Sequence, residues 1–393
     1  MAEARRRYTL ICGPMATLSH EAFRRMIEKF GGCDEYFTEM INAGSLLTRG
    51  PFEKYYLMND AAPEKMVWQL TGGKTPLMIE AASFLAQLGG IGIDLNMGCC
   101  APEIVSSGAG IAWMLKPVEE TMAMVRGVRQ AIDKSFISGK SVPCSNDADG
   151  GVFCHSGSMN GKKIRLSVKL RLGDENFTDE SFFSFCKMLS DEGVEQITLH
   201  PRTRKQKYSR PAKWGYVQRL SEIMKERGVR VILNGDVKDV DSALHAVQSA
   251  PDCDGIMIAR AACQKPWIFS KIADALNGSN CACLPLTDTE GNPAAFGRNL
   301  SLSNASEARK IVDKTIDLYQ LVCEYLDDLQ IYQPKEFWKT RLQRFFAYFC
   351  TNFSFAHYFQ TLMLNARNND DARNRIKFYF FRCPSDKIKL FGI

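Results

Sequence analysis

Long apolar runs are what this 393-residue sequence most plainly lacks. No stretch approaches the length of a membrane-spanning helix, which excludes a helical membrane protein and leaves no membrane partner to expect. No secretory h-region follows Met1-Ala2-Glu3-Ala4-Arg5-Arg6-Arg7, so the 14 scattered cysteines read as reduced thiols of a cytoplasmic protein. Metal-ligand spacing is missing as well. Cys144, Cys154 and His155 share one Gly-, Ser-, Asn- and Asp-rich stretch, residues 138–163, but no fourth ligand accompanies them and no metal is expected. Low-complexity tracts are absent too, and so is any repeat beyond a strand–helix unit.

What is present is an ordinary globular composition, with length enough for one large domain and a smaller one. The 50 basic and 44 acidic residues give a net charge of +6, unevenly spread. From Lys335 to Ile393 eleven basic residues face four acidic ones. A basic terminal module beside a near-neutral body points to a polyanion such as RNA or DNA; a solvated basic face without a partner is the plainer alternative.

The chain is organised around Ile91-Gly92-Ile93-Asp94-Leu95-Asn96-Met97-Gly98-Cys99-Cys100-Ala101-Pro102. Its first half reads as a buried strand, and its second as a tight turn presenting two thiols. Similar strands are expected from Tyr8 to Gly13, Tyr36 to Glu39, Met66 to Leu70, Leu166 to Arg171, Gln196 to His200, Val229 to Asn234 and Gly255 to Ala259. Nearly all are followed by a helical pattern, the first with Ser19 as its expected cap. Eight such units in about 275 residues fit a closed (β/α)8 TIM barrel better than an open sheet. Residues 138–163 interrupt the rhythm as an inserted loop or hairpin. Asn277 to Asn304 reads as a linker, and Glu307 to Leu329 and Lys335 to Tyr348 read as helices. The expected division is a catalytic barrel, residues 1–300, and a helical basic domain, residues 301–393.

In a parallel barrel, chemistry gathers at the C-terminal ends of the strands. Those ends nominate Pro14 and Met15, Gln69, Asn96 to Cys99, Lys169 with Arg171, His200, Asn234-Gly235-Asp236, and Ala259-Arg260. The last two groups end strands seven and eight, where barrels commonly hold a phosphate. Taken singly, Lys169 reads equally well as half of an interior ion pair, and His200 as a satisfied core histidine.

Six motifs stand in order. They are Gly13-Pro14-Met15, Asp94-Leu95-Asn96-Met97-Gly98-Cys99, Val168-Lys169-Leu170-Arg171-Leu172-Gly173, His200-Pro201-Arg202-Thr203, Asn234-Gly235-Asp236, and Ile258-Ala259-Arg260-Ala261-Ala262 with Pro266-Trp267. Together they resemble the flavin-dependent tRNA-dihydrouridine synthases, from about Tyr8 to Phe269. The resemblance implies a barrel holding FMN, reduced by NADPH, and a helical C-terminal domain that grips tRNA. It implies that Pro14, Met15, Ala16 and Gln69 lie against the flavin, with Lys169 at its N1 and O2 side and His200 in contact. Asn234, Gly235, Asp236, Ala259 and Arg260 would hold its phosphate. Cys99 would donate a proton, and Asn96, Arg171 and Arg202 would contact the uracil or its surroundings.

That chemistry suits the residues: saturating a C5=C6 bond takes a hydride at one carbon and a proton at the other, and a thiol is largely protonated at neutral pH. The base would have to be turned out of the tRNA fold to be reached. The family usually carries Pro directly after its catalytic Cys. Here Cys100 and Ala101 come before Pro102, and Cys99 keeps the family's spacing from Asn96. Pro201 stands where a small residue is usual, Ala259 where Gly is common, and the C-terminal region matches in character only. Three other readings share some features: a dihydroorotate-dehydrogenase-like FMN oxidoreductase, a Schiff-base aldolase using Lys169, and a non-catalytic RNA-binding barrel. No protein partner is expected.

Overall fold

The computed structural model describes residues 7–138, 163–174, 177–206, 208–277 and 315–391. The insertion and the linker expected from the sequence fall almost wholly outside these residues. Nine strands form one all-parallel sheet: β1 (Thr9–Cys12), β2 (Glu35–Phe37), β3 (Ile41–Asn42), β4 (Met66–Thr71), β5 (Gly92–Met97), β6 (Arg165–Arg171), β7 (Gln196–His200), β8 (Arg230–Asn234) and β9 (Gly255–Ile258). Neighbours run β2-β1-β9-β8-β7-β6-β5-β4, and β4 closes the ring by pairing Tyr36 with Met66 and Phe37 with Val67. Helices follow the strands on the outside, so the fold is the eight-stranded barrel that the sequence predicts.

Strict alternation explains why these segments form strands and what each side faces. Ile93, Leu95 and Met97 of β5, Leu166, Val168 and Leu170 of β6, and Ile197 and Leu199 of β7 point outward into the apolar layer under the helices. Their neighbours point inward. Ile11, Phe37, Val67, Ile232 and Met257 pack in the barrel interior, whereas β5 to β7 place polar groups there, among them Asp94, Ser167 and Thr198. At the lower end Arg165 donates to both Glu35 oxygens (2.8 and 2.6 Å), and Arg230 reaches Glu35 (3.2 Å) and Thr9 (2.7 Å). Burial pushes the Glu35 carboxyl up, but the two guanidiniums outweigh it and hold it below its ordinary value.

Two local expectations are corrected. The second strand stops at Phe37 rather than Glu39, and pairing to β4 resumes at β3. In the gap Thr38 Oγ1 accepts the Gln69 N–H (2.9 Å), which leaves Glu39 turned out of the ladder. Ser19 does not cap the first helix, Glu21–Glu28. It accepts the Met15 N–H (2.8 Å) and donates to the Gly13 carbonyl (3.0 Å), so it braces the turn above β1 instead.

The C-terminal region is helical as expected, with one short two-stranded ribbon added. Thr315–Asp317 (β10) pairs antiparallel with Ile388–Leu390 (β11). Of the helix expected over Glu307 to Leu329, residues 307–314 lie outside the described residues, and the described helix runs Leu318–Tyr332, started by Asp317 accepting the Gln320 N–H. The helices Lys335–Phe349, Ala356–Leu364 and Asn369–Arg382 complete the region. Its core is aromatic, with Tyr325 stacked on Phe345 at 4.1 Å, and Phe345 meets Phe23 of the first barrel helix at 6.2 Å. Trp267 similarly touches Phe349. Barrel and C-terminal helices therefore share one apolar core.

Candidate active site

Above the strand ends lies a cleft of about 1440 Å³. It brings together Pro14, Met15, Ala16, Gln69, Asn96, Cys99, Lys169, Arg171, His200, Asn234, Gly235, Asp236, Ala259 and Arg260, which is every residue given a cofactor, substrate or proton-donor role but one. The exception is Arg202, 3% exposed and beneath the surface rather than on it.

One hydrogen-bonded chain runs from the barrel interior to the thiol turn. Gln69 Nε2 donates to Asp94 (2.8 Å), Asn96 Nδ2 donates to Gln69 Oε1 (3.0 Å), and Asn96 Oδ1 accepts the N–H groups of Gly98 (3.3 Å) and Cys99 (3.0 Å). An ionised carboxylate only accepts, so Asp94 fixes which end of each amide faces which neighbour. Ser167 donates to its other oxygen (2.8 Å). Burial raises Asp94 to about 6, partly countered by these donors and by Lys169. Burial and the neighbouring Arg171 bring Lys169 down to about 8, while Asp94 and Cys99 pull it back up. The Cys99 thiol is pushed up by its own partial burial, so it keeps its proton at neutral pH.

A second cluster surrounds β7 and β8. Arg202 grips Asp236 through two 2.7 Å bonds, donates to the Arg210 carbonyl (2.6 Å), and meets His200 Nε2 at 2.8 Å. A guanidinium can only donate, so Nε2 accepts, and His200 is neutral with its proton on Nδ1. Burial and the charges of Lys169, Arg171, Arg202 and Arg260 push its pKa down to about 2. Gly235 has φ +108°, and a Cβ there would lie 2.7 Å from the His200 ring. Only glycine lets the turn approach that closely.

Several lining residues carried no sequence signal. Tyr208, 58% exposed, lies in the loop after β7 with the guanidiniums of Arg260 and Arg171 at 4.3 and 5.5 Å from its ring centre. Arg344 and Tyr348 reach the cleft from the C-terminal helix Lys335–Phe349. Asp94 was legible in principle, since it shares the inward parity of Asn96 two residues on. Among the described residues no cluster of His, Cys, Asp and Glu is arranged to hold a metal.

The model of the dihydrouridine synthase family matches residues 10–140 and 159–348, taking in the barrel and the helix that supplies Arg344 and Tyr348. The chain belongs to the dihydrouridine synthase family. A probable tRNA-dihydrouridine synthase of Rickettsia prowazekii is 30% identical over 267 residues, which is 67% of this chain and 70% of that protein. The tRNA-dihydrouridine synthase B of Pseudomonas syringae pv. tomato is 25% identical over 282 residues, 72% and 73% of the two chains. Likeness to solved structures is more distant: morphinone reductase in complex with tetrahydroNAD has 12% identity and a TM-score of 0.41, over 69% of this chain and 87% of that one. No helix among the described residues is long and apolar enough to cross a membrane.

Proposed function

We propose that this dihydrouridine synthase saturates the C5=C6 bond of uridines in cytoplasmic tRNA, with Cys99 as the proton donor and FMN, reduced by NADPH, as its cofactor. The observation that carries the reading is the meeting of Cys99, Lys169, Asn96 and the Asn234–Asp236 turn with Arg260 in one cleft. The residues fit FMN. The cleft has room for a flavin, and its wall at Pro14, Met15 and Ala16 is largely apolar. The Gly235 turn provides a backbone cradle that a side chain would fill, and Arg260 supplies a cation beside it. Bound there, FMN would supply the hydride for C6 of the uracil ring.

Every other part falls to the chain's own residues. Lys169, charged below about pH 8, offsets the negative charge that a reduced cofactor brings to the cleft. Gln69 and His200 complete the cofactor's surroundings. Cys99 holds its proton at neutral pH and delivers it to C5 from the opposite side of the ring, and the Asn96 carboxamide fixes the turn that carries it. Arg171, near Tyr208, faces the turned-out nucleotide. Arg202 we reassign from substrate contact to positioning, since its donors are committed to His200, Asp236 and Arg210.

The barrel, to about residue 300, is the catalytic unit in this reading, and residues 301–393 take the tRNA backbone. Exposed Lys335, Lys339, Arg367, Lys377, Arg382 and Lys387 suit phosphate contacts. Two measurements test it. The purified protein is expected to be yellow and to bleach with NADPH, and tRNA from cells lacking the gene is expected to lose dihydrouridine at defined positions. A colourless protein with a Lys169 adduct trapped by borohydride would favour the aldolase. Unchanged dihydrouridine with tRNA binding intact would leave a non-catalytic barrel.

A further inference from the structure

We propose that Glu39 and Arg341 are positioning residues: a buried ion pair through which the C-terminal helix fixes the Met15–Thr17 wall of the cleft. Glu39 leaves the sheet where β2 breaks off, and both it and Arg341 are almost wholly buried. One Glu39 oxygen pairs with Arg341 Nη1, and the other accepts the Thr17 N–H at 2.6 Å. Thr17 has φ 66°, a left-handed conformation that a β-branched residue adopts only when its surroundings hold it there.

The turn bearing Thr17 directly follows Pro14, Met15 and Ala16, all lining the cleft. Most of its other bonds are local, Ser19 Oγ to Met15 and Gly13 and the Leu18 and Ser19 N–H groups to the Met15 carbonyl, while Gly13 N–H reaches the Ile258 carbonyl (2.8 Å) and Cys263 Sγ reaches Met15 Sδ (3.7 Å) below the turn. The Glu39 carboxylate is the bond that ties Thr17 to a distant part of the chain. Arg341 is also held from its other side, its guanidinium 5.1 Å from the Phe337 ring centre and 5.9 Å from that of Tyr56. Arg344 and Tyr348, three and seven residues further along the same helix, enter the cleft directly. The helix thus acts on the site twice, as a wall and as the counter-charge that orients Glu39. Neither Glu39 nor Arg341 lines the cleft, so both act through Thr17.

The importance of this wall rests on its assignment to the cofactor, and the experiment keeps the two questions apart. In the full-length protein, amide exchange is followed by mass spectrometry over Met15–Ser19, and FMN affinity is measured by fluorescence. Losing a charge-assisted bond in Glu39→Ala is expected to speed exchange at Thr17 about tenfold and weaken FMN binding by a similar factor. Glu39→Gln, which keeps an acceptor for Thr17, should fall between that variant and the wild type. Arg341→Met strands a buried carboxylate and is liable to misfold. The double variant Arg341→Met with Glu39→Gln removes both charges, and is expected to fold yet expose Thr17 more than Glu39→Gln alone. Arg341→Lys should restore part of the protection.

Wild-type exchange at Thr17 in the double variant would overturn the proposal, as would acceleration spread equally over β4. FMN binding that stays intact while Thr17 loosens would overturn the link to the cofactor wall. A wild-type protein that takes up no FMN would sink the cofactor assignment, with the exchange measurements still deciding the role of the ion pair.

Discussion

Replacing Asp94 with asparagine puts the hydrogen-bonded chain to Cys99 under direct strain. The shape is kept and the charge removed, so residue 94 presents either an oxygen or an amide group to Gln69. Gln69 and Asn96 are then each free to turn over. A reversed Asn96 would aim its NH2 at the N–H groups of Gly98 and Cys99, which it now accepts at 3.3 and 3.0 Å. One such bond is worth about 1 kcal/mol and two about 2, and about 1.4 kcal/mol lost from the transition state is tenfold in rate.

Stability is expected to move the other way. Burial raises Asp94 from 3.8 to about 6, so this carboxyl's contribution to stability is whole below about pH 4 and lost as pH rises through about 6. At pH 8 the penalty is on the order of 3 kcal/mol, and asparagine escapes it. Asp94→Asn should therefore make dihydrouridine about tenfold more slowly on unmodified tRNA. Its melting temperature relative to wild type should rise between about pH 4.5 and pH 8. An unchanged rate, or a difference in melting temperature flat across that range, would refute the reasoning.

Cys99→Ser should lower product formation about a hundredfold or more, as expected for loss of a general acid, while Cys100→Ser stays close to the wild-type rate; single-turnover assays separate the two. Lys169 keeps its charge below about 8 and loses it above, so the rate should fall as pH rises through that value. Lys169→Arg, charged throughout, should flatten this alkaline limb of the pH profile even if its rate is lower. Gly235→Ala forces a Cβ to within 2.7 Å of the His200 ring at φ +108°, so purified protein should carry little flavin, read from its visible spectrum.

Much of the fold was legible because the outward positions of the strands are almost uniformly apolar and their ends are punctuated by Gly, Asn or Pro. The boundaries of β7 were read to the residue, since Gln196 to His200 alternates cleanly. β2 misled because Thr38 looks like one more strand residue, and only the fold reveals its hydroxyl standing in for the ladder at Gln69. β10 and β11 escaped notice because they are three residues each and pair across more than seventy positions. At the site, residues at strand ends were legible by place. Tyr208, Arg344 and Tyr348 were not, because a loop and a distant helix bring them to the rim and no local pattern encodes that approach. Arg202 was placed in the right cluster by its neighbour His200, but its burial follows from Asp236, thirty-four residues away.

The knot of Glu35 with Arg165 and Arg230 stoppers the barrel at the end away from the thiols. Anything that reaches Lys169 must come down through the rim, and so must whatever leaves. In the proposed reaction the dinucleotide and the tRNA would enter by this same side and take turns at the cleft. Double-reciprocal plots at several fixed tRNA concentrations should accordingly give parallel lines.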